Sequence, residues 1–246
     1  MTPVVIIPAR LASARLPGKP LADIAGQPMI VRVLRRAQAA GVGPVAVAAG
    51  EASIVAAVEA AGGIAVLTDP DLPSGSDRVF QALLRLDPEG RFDVVVNVQG
   101  DVPTIAPELI RAALRPLEDP ATDIGTLVSP IADAAEAATL SFVKVACAFG
   151  PGATVARALY FSRAAIPWGD GPRWHHIGIY AFRRTALARF VALPEGLLER
   201  REGLEQLRAL EAGMLIGCAQ VAHGPFGVDT PADLERARRL LAEDRA

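Results

Sequence analysis

Residues 4–20 read VVIIPARLASARLPGKP, and this stretch decides the fold that the sequence predicts. Its first four residues are apolar and predict a buried strand close to the N-terminus. Pro8 is expected to end that strand, because proline has no N–H group to donate to a sheet. The loop that follows carries Arg10, Arg15 and Lys19 among small residues. Since open α/β sheets bind ligands at the carboxyl ends of their strands, an anion site is favoured over a solvated basic loop.

The composition indicates a globular protein without a general affinity for polyanions. The chain has 246 residues, of which 51% are hydrophobic, and a formal net charge of −2. This length suits one large α/β domain or a main domain with a smaller lobe, and the charge gives no overall attraction to nucleic acid or membranes. The first strand leaves no room for a signal peptide and no apolar run is long enough to span a membrane, so a soluble cytoplasmic protein is expected. Cys147 and Cys218 lack metal-type spacing and are expected to be reduced and buried.

Strand and helix patterns alternate through the first half, which predicts βαβ units and a mainly parallel sheet. Strands are expected there at 4–7, 45–49, 64–67, 92–98 and 124–129, and helices at 28–40, 51–61, 76–86 (capped by Ser76) and 107–117. After about residue 140, strand-like runs at 143–149, 155–161 and 177–182 predict added antiparallel structure. Further elements are expected at 184–191 and 198–212 (helices), 215–221 (strand) and 231–243 (helix). We expect a single domain over 1–246, with an inserted β-rich lobe at about 140–182.

Two aspartates in loops are candidate metal ligands. Asp101 follows the fourth predicted strand, so it lies on the same edge of the sheet as the basic loop. Asp229 comes just before Pro231, at the start of the last helix. Mg²⁺ bound to nucleotide phosphates takes one or two protein carboxylates, which these residues could supply. Capping of a turn explains Asp101 about equally well, and capping of the helix is the better local explanation for Asp229.

The common phosphate-binding motifs are missing from this sequence. No Gly-x-Gly-x-x-Gly fingerprint follows the first strand, and Gly18-Lys19 lacks the Ser or Thr of a P-loop. Any phosphate site in the basic loop must therefore be of another kind.

Polar residues in the second half are ambiguous when taken alone. His175 and His176 precede an apolar strand, where only one of them can face a given side, and a structural histidine is the more common case. Arg163 could bind a carboxylate with two parallel hydrogen bonds or simply lie on the surface. Glu205 and Gln206 are most simply surface residues of a helix. The residues alone thus predict a nucleotide-handling α/β protein without specifying its substrate.

Motifs that together indicate one family are spread along nearly the whole chain. They lie, in order, at 5–10, 15–21, 28–31, 58–63, 74–75, 96–101, 158–163, 176–180, 204–208 and 227–231. This series closely resembles the 3-deoxy-manno-octulosonate (Kdo) cytidylyltransferases, also called CMP-Kdo synthetases. The resemblance implies a nucleotide-diphosphosugar-transferase-like α/β fold, with a mainly parallel central sheet flanked by helices and a smaller β-rich dimerisation lobe. It also implies a homodimer.

The same resemblance implies an Mg²⁺-dependent reaction of CTP with Kdo to CMP-Kdo and pyrophosphate, which activates Kdo for lipopolysaccharide synthesis. Carried over by position, the catalytic residues would be Arg10, Arg15, Lys19, Asp101 and Asp229, with the two aspartates as Mg²⁺ ligands. The nucleotide would be bound by Pro8, Ala9, Arg10, Ala12, Ser13, Arg15, Lys19, Ser74 and Gly75. The sugar acid would be bound by Gln99, Arg163, His176, Tyr180, Glu205 and Gln206, with Arg163 at its carboxylate.

Two alternatives remain open from the sequence. Val102, residues 48–50 and a short segment at 168–175 depart from the family pattern, so the substrate could be an amino-substituted Kdo or another sialate-like acid. The second alternative is a non-catalytic nucleotide-binding protein on the same fold. Such a protein would not need two carboxylates in separate loops.

Overall fold

The computed structural model describes residues 1–13 and 15–243. Ala14, inside the predicted basic loop, lies outside the described residues, as do residues 244–246. The chain forms two compact units, one of Met1–Ile110 with Pro225–Ala246 and the other of Arg111–Gly224. One domain over 1–246 with a lobe at about 140–182 stays a prediction. No helix within the described ranges is long and apolar enough to cross a membrane.

Strands and helices alternate along the first part of the chain. The elements are β1 (Pro3–Ala9), a 3-10 helix (Lys19–Leu21), β2 (Asp23–Ile24), β3 (Gln27–Pro28), α1 (Met29–Ala39), β4 (Val45–Ala49), α2 (Ala52–Ala60), β5 (Ile64–Leu67), α3 (Gly75–Leu86), β6 (Val94–Asn97) and α4 (Pro107–Ala112). In the first unit the strands pair in the order β5, β4, β1, β6, and each of these pairs is parallel. The predicted parallel arrangement of this part is therefore confirmed.

β1 continues through Pro8, and the prediction that it ends there was wrong. Pro8 is in register with Ala48 of β4, and Ala9 is the last strand residue. On the other side, Ile6 is the last residue paired with β6, and its carbonyl accepts a hydrogen bond of 3.2 Å from the N–H of Val98. Residues two apart in a parallel strand turn their backbone groups to the same neighbour, so Pro8 faces the side where β6 has already ended. Proline is tolerated because the N–H group it lacks would have had no partner in β6.

α3 begins at Gly75, and its cap is Ser74 rather than the predicted Ser76. The Ser74 hydroxyl accepts hydrogen bonds from the N–H of Ser76 at 3.1 Å and of Asp77 at 3.2 Å. Ser74 has the extended backbone of an N-cap residue, whereas Ser76 lies inside the first turn and is buried. The first turn lies next to β1, since a Cβ built at Gly75 would be 3.6 Å from Pro8 Cγ.

The second unit is built mainly from strands. Its elements are a 3-10 helix (Arg115–Glu118), β7 (Ile124–Pro130), α5 (Ala134–Ala138), β8 (Lys144–Cys147), β9 (Val155–Ser162), β10 (Trp174–Arg183), α6 (Arg184–Ala192), α7 (Leu197–Glu202), α8 (Leu207–Glu211) and β11 (Ile216–Gln220), after which α9 (Pro231–Glu243) belongs to the first unit. The strands pair in the order β10, β7, β11, β9, β8, and β8 pairs back with β10, so they close into a ring. In this ring β7 and β11 are parallel and the other pairs are antiparallel. The antiparallel structure predicted after about residue 140 is confirmed.

The single helix predicted at 198–212 was wrong, because α7 and α8 are separate. Gly203 ends α7 with a φ of 63°, a left-handed conformation that glycine adopts at little cost. The N–H groups of Gly203 and Leu204 both donate to the carbonyl of Glu199, which closes the end of the helix. The helix predicted at 107–117 is likewise divided, into α4 and the 3-10 helix that begins at Arg115.

Candidate active site

A cleft in the first unit lies at the carboxyl ends of β1 and β6. Its volume is about 430 Å³, and it is lined by Pro8, Ala9, Arg10, Ala12, Ser13, Arg15, Lys19, Pro20, Gln99, Gly100 and Asp101. The loops that follow the two strands approach closely because Gly100 has no side chain. A Cβ at Gly100 would lie 2.7 Å from the carbonyl oxygen of Pro8, which is closer than a carbon and an oxygen can pack.

Lys19 is the central charge of this cleft. Its Nζ donates to Asp101 Oδ2 at 2.8 Å and to Asp229 Oδ1 at 3.1 Å, and its side chain is 15% exposed. Burial lowers the pKa of Lys19, but its interactions with the two carboxylates outweigh this effect and raise the pKa above its ordinary value. Lys19 therefore carries its charge at neutral pH. The prediction that the basic loop and Asp101 lie at one edge of the sheet is confirmed.

Asp229 reaches the cleft because the last helix packs against the segment that follows the basic loop. A core cluster joins Val228 and apolar residues of α9 to Ile24 and Met29. The N–H of Val228 also donates to the main-chain carbonyl of Asp101 at 2.9 Å. This packing brings together carboxylates that are far apart in sequence and that the local pattern could not connect.

The cap of α9 is made by residues other than Asp229. The N–H of Asp233 donates to Thr230 Oγ1 at 3.2 Å, and the N–H of Thr230 donates back to Asp233 Oδ2 at 2.9 Å. Hydrogen bonds from Thr230 lower the pKa of the Asp233 carboxyl. The Asp229 side chain is thus directed to Lys19 and Arg15, and its local explanation as a helix cap was wrong.

The two aspartates form a donor set that suits Mg²⁺. Within the described ranges, no group of three or more His, Cys, Asp or Glu side chains could hold a metal. However, Asp101 and Asp229 gather around one positive charge, and both remain partly exposed. Mg²⁺ is usually bound through one or two carboxylates together with water and substrate phosphates. These residues therefore fit a magnesium ion that arrives with a nucleotide.

Arg10 and Arg15 are the more exposed cations of the loop. Arg15 Nη2 lies 3.2 Å from Asp229 Oδ2, and both side chains are about half exposed or more. Such an exposed pair is worth at most about 1 kcal/mol, so the guanidinium can turn to a stronger anionic partner. Beside Arg10, the N–H of Leu11 donates to a carboxylate oxygen of Glu51 at 3.0 Å, which holds the start of the loop.

A smaller cavity of about 140 Å³ lies at the N-terminal end of α3. It is lined by Pro8, Ala9, Arg10, Leu72, Ser74, Gly75, Arg78 and Gln99. Arg78 is buried and was missed by the sequence analysis. Its guanidinium donates to Thr68 Oγ1 at 2.6 Å, to the carbonyl of Asp69 at 2.9 Å and to that of Pro70 at 3.1 Å. Arg78 thereby fixes the loop at 68–70 beside the helix end.

In the second unit, His176 is a buried, neutral residue. Burial, together with the nearby His175, lowers the pKa of His176 to about 3. Its Nε2 lies 3.0 Å from Thr126 Oγ1. That hydroxyl has one hydrogen, which faces the carbonyls of Ile177 and Ile179 at 3.2 and 2.9 Å, so its oxygen accepts from His176. The histidine therefore carries its proton on Nε2.

Tyr180 lies near this histidine, and Glu205 lies close enough to Tyr180 for its charge to act on that residue. The rings of His176 and Tyr180 are 5.4 Å apart. Burial, together with the charge of Glu205, raises the pKa of Tyr180, so its hydroxyl keeps its proton. Gln206 is buried at the start of α8, and its Nε2 has no hydrogen-bond partner among the described residues. A buried donor without a partner is costly, so this amide is available to donate a hydrogen bond to a bound ligand.

Arg163 follows β9 and is held against the end of α7. Its Nε donates to the carbonyl of Glu202 at 2.8 Å, and its terminal nitrogens lie 3.3 Å from the carbonyls of Gly203 and Leu140. A guanidinium has five N–H groups, so these three bonds leave capacity for a further acceptor. Glu202 was missed by the sequence analysis, because nothing in a helical run distinguishes one glutamate from the next.

Comparison with known proteins gives the family. The family model for cytidylyltransferases matches residues 4–216. A protein from Methylobacterium radiotolerans called 3-deoxy-manno-octulosonate cytidylyltransferase is 66% identical over 240 residues, which cover 97% of this chain and 96% of that protein. The chain belongs to the 3-deoxy-manno-octulosonate cytidylyltransferase family. A protein of the same name from Paramagnetospirillum magneticum is 60% identical over 241 residues, or 98% of each chain.

A solved structure extends the similarity to the fold. The CMP:2-keto-3-deoxy-manno-octonic acid synthetase complexed with CTP is 43% identical, with a TM-score of 0.89 over 99% of this chain and 100% of that one. The predictions of an α/β fold and of a nucleotidyltransferase are confirmed by this match and by the relatives. Three of the positions that depart from the family pattern, Ala48, Ala49 and Val102, are packing positions here, since all three are buried.

Proposed function

We propose that this chain converts CTP and 3-deoxy-D-manno-octulosonate to CMP-Kdo and pyrophosphate, and so activates Kdo for lipopolysaccharide synthesis. The names of relatives 60–66% identical over nearly the whole chain support this reaction. The structural observation that carries the proposal is the convergence of Asp101 and Asp229 on Lys19, with two further cations in the same loop. A site that binds nucleotide without chemistry would have no use for both carboxylates.

The nucleotide is bound in the first unit. Arg10, Arg15 and Lys19 hold the triphosphate, while the cytidine is bound by Pro8, Ala9, Ala12, Ser13, Ser74 and Gly75. The two neighbouring cavities and the CTP bound to the solved relative support this assignment. The N-terminal end of α3 adds a partial positive charge, which favours an anion nearby.

Asp101 and Asp229 are the residues that hold Mg²⁺, as their donor set allows. When bound with the nucleotide, the ion would supply positive charge that polarises the phosphoryl group and favours deprotonation of the sugar hydroxyl. Lys19 must then leave the carboxylates and move to the triphosphate. Beside the two carboxylates, its raised pKa keeps Lys19 charged.

The sugar acid is bound by Arg163, His176, Tyr180, Glu205 and Gln206, and Gln99 keeps its predicted role as a sugar contact. Arg163 binds the carboxylate with N–H groups that its three present bonds leave over. His176, protonated on Nε2, offers its Nδ1 lone pair to a sugar hydroxyl. The Nε2 group of Gln206, which lacks a partner among the described residues, donates to another sugar oxygen.

The reaction forms a bond between the anomeric oxygen and the α-phosphorus and breaks the bond to the pyrophosphate. Negative charge grows on the leaving group, where Arg10, Arg15 and Lys19 offset it. No covalent intermediate with the protein is needed. Positioning and electrostatic stabilisation supply the acceleration.

A matrix of nucleotides and sugar acids, with pyrophosphate release as the signal, tests the proposal. We expect release with CTP and Kdo, and much less with the other nucleotides. Release with an amino-substituted Kdo or another sialate-like acid in place of Kdo would assign a different substrate. CTP binding without release for any sugar acid would contradict the catalytic function.

The carboxylates are tested by Asp101→Asn and Asp229→Asn, which we expect to nearly abolish turnover and to leave the protein folded. Asp71→Asn, which changes an exposed aspartate, is the matched control and should keep full activity. Near-normal turnover in either site variant would remove that residue from the metal site.

The finer fold assignment, nucleotide-diphosphosugar-transferase-like, and a homodimer are also part of the proposal. Exposed apolar side chains of the second unit, Leu140, Leu159 and Trp168, support a surface that a second copy covers. Light scattering should give twice the mass of one chain. A monomer at micromolar concentration would contradict the dimer.

A further inference from the structure

Lys144 is a fully buried charge that the reaction described above does not use. It lies in β8 with 0% exposure, and its ammonium donates to the carbonyls of Thr139 at 2.9 Å, Phe142 at 2.7 Å and Arg163. An ammonium has three N–H groups, so these carbonyls use all of them. Burial and the charge of Arg163 lower the pKa of Lys144, which shows that the charge is kept here at a cost. An apolar residue would fill such a space more cheaply.

Glu202 binds the same segment through its carboxylate. Its Oε2 accepts from the main-chain N–H of Arg163 at 3.0 Å. Its Oε1 accepts from the hydroxyls of Ser162 at 2.8 Å and Tyr160 at 3.4 Å. One carboxylate thus accepts hydrogen bonds from three donors at or just after the end of β9.

Arg163 is consequently fixed at three places. Its carbonyl is bound by Lys144 and its N–H by Glu202, while its guanidinium lies against the carbonyls that end α7. A side chain that only covered a surface would not need its backbone held by two charged groups. The arrangement sets both the position and the direction of the guanidinium.

We propose that Lys144 and Glu202 are positioning residues that hold Arg163 ready for the carboxylate of the sugar acid. The inference rests on the proposed function, which assigns Arg163 to that carboxylate. The charges agree with it: the two cations, Lys144 and Arg163, face one carboxylate, Glu202, and a monoanionic ligand balances the excess. Arg163 still has N–H groups to give to such a ligand.

Steady-state kinetics of Lys144→Met and Glu202→Gln test the inference. Both changes keep the approximate shape of the side chain and remove its charge. We expect the KM for the sugar acid to rise roughly tenfold or more, the typical effect of losing charged hydrogen bonds, with the KM for CTP changed less than about twofold. Glu195→Gln, which changes an exposed glutamate, is the matched control and should leave both constants unchanged.

Combination with Arg163→Ala separates positioning from a general structural role. If Lys144 and Glu202 act through Arg163, adding Lys144→Met or Glu202→Gln to Arg163→Ala should raise the sugar KM no further. The inference would be overturned if the increases in sugar KM multiplied in the double variants, or if the KM for CTP rose equally. An unchanged sugar KM in Glu202→Gln would overturn it as well. Glu202→Gln decides the question even if Lys144→Met does not fold. If Arg163→Ala itself leaves the sugar KM unchanged, the proposed carboxylate contact fails first.

Discussion

His176 allows a quantitative prediction about stability and pH. The folded protein buries its imidazole, which holds the pKa near 3, whereas the unfolded chain has the ordinary value of about 6.5. Below the unfolded value, the unfolded chain therefore binds a proton that the folded protein excludes. The stability that His176 contributes is complete above about pH 6.5 and is lost as the pH falls toward 3.

The size of this effect follows from the two pKa values. One pKa unit corresponds to about 1.4 kcal/mol, so at about pH 5 the free energy of unfolding should be lower by about 2 kcal/mol. At about pH 3 the loss should be about 4 kcal/mol, and at about pH 7.5 it should be negligible.

Urea unfolding of the wild type and of His176→Gln, at about pH 7.5 and about pH 5, measures the difference. Glutamine keeps an N–H donor for Thr126 but does not titrate. We expect the wild type to lose about 2 kcal/mol more than the variant between the two pH values, because contributions of other groups cancel. His223→Gln, at an exposed histidine, is the control. An equal loss in the wild type and His176→Gln would refute the conclusion that burial keeps His176 neutral.

Three further predictions concern particular contacts. Lys19→Met should strengthen Mn²⁺ binding without nucleotide by about tenfold, because a competing ammonium is removed; the measurement is titration by electron spin resonance, and weaker binding would contradict a metal at the two aspartates. Gly100→Ala should lower the free energy of unfolding by about 1–3 kcal/mol in urea, since the added Cβ would lie 2.7 Å from the carbonyl oxygen of Pro8. An unchanged free energy of unfolding would mean that the two loops can separate freely. Glu199→Ala should lower the free energy of unfolding by about 3 kcal/mol, because Arg208 loses its buried carboxylate. Glu195→Ala, at an exposed pair, should lower it by less than about 1 kcal/mol. Equal losses in thermal or urea unfolding would contradict this.

Local signals in the sequence were enough for most of the regular structure. β4 and β5 begin and end where the pattern of small and β-branched residues predicts, and α9 begins at Pro231 as its capping signal indicates. These signals are reliable because the residues that form a strand or a cap are neighbours in the chain. The basic loop with Arg10, Arg15 and Lys19 could be recognised for the same reason.

Contacts between distant residues were outside the reach of local patterns. Pro8 is accepted in β1 because β6 ends before it, and Ser74 caps α3 because its backbone there is extended. The neighbouring residues do not specify where β6 ends or which of the two serines has the extended backbone. The division at Gly203, by contrast, had a local signal, because glycine is a poor helix former and commonly ends helices.

By itself, the sequence determined the α/β class, the loop that follows β1 and the candidate carboxylates Asp101 and Asp229. Tertiary structure decided that both carboxylates meet at Lys19, which is 210 residues from Asp229 in the chain. It also decided that Lys144 and Glu202 bind the backbone carbonyl and N–H of Arg163. The physical reason is that secondary structure depends on neighbouring residues, whereas a site depends on which apolar surfaces pack together. The core that joins α9 to Ile24 and Met29 is the packing that brings Asp229 to the cleft.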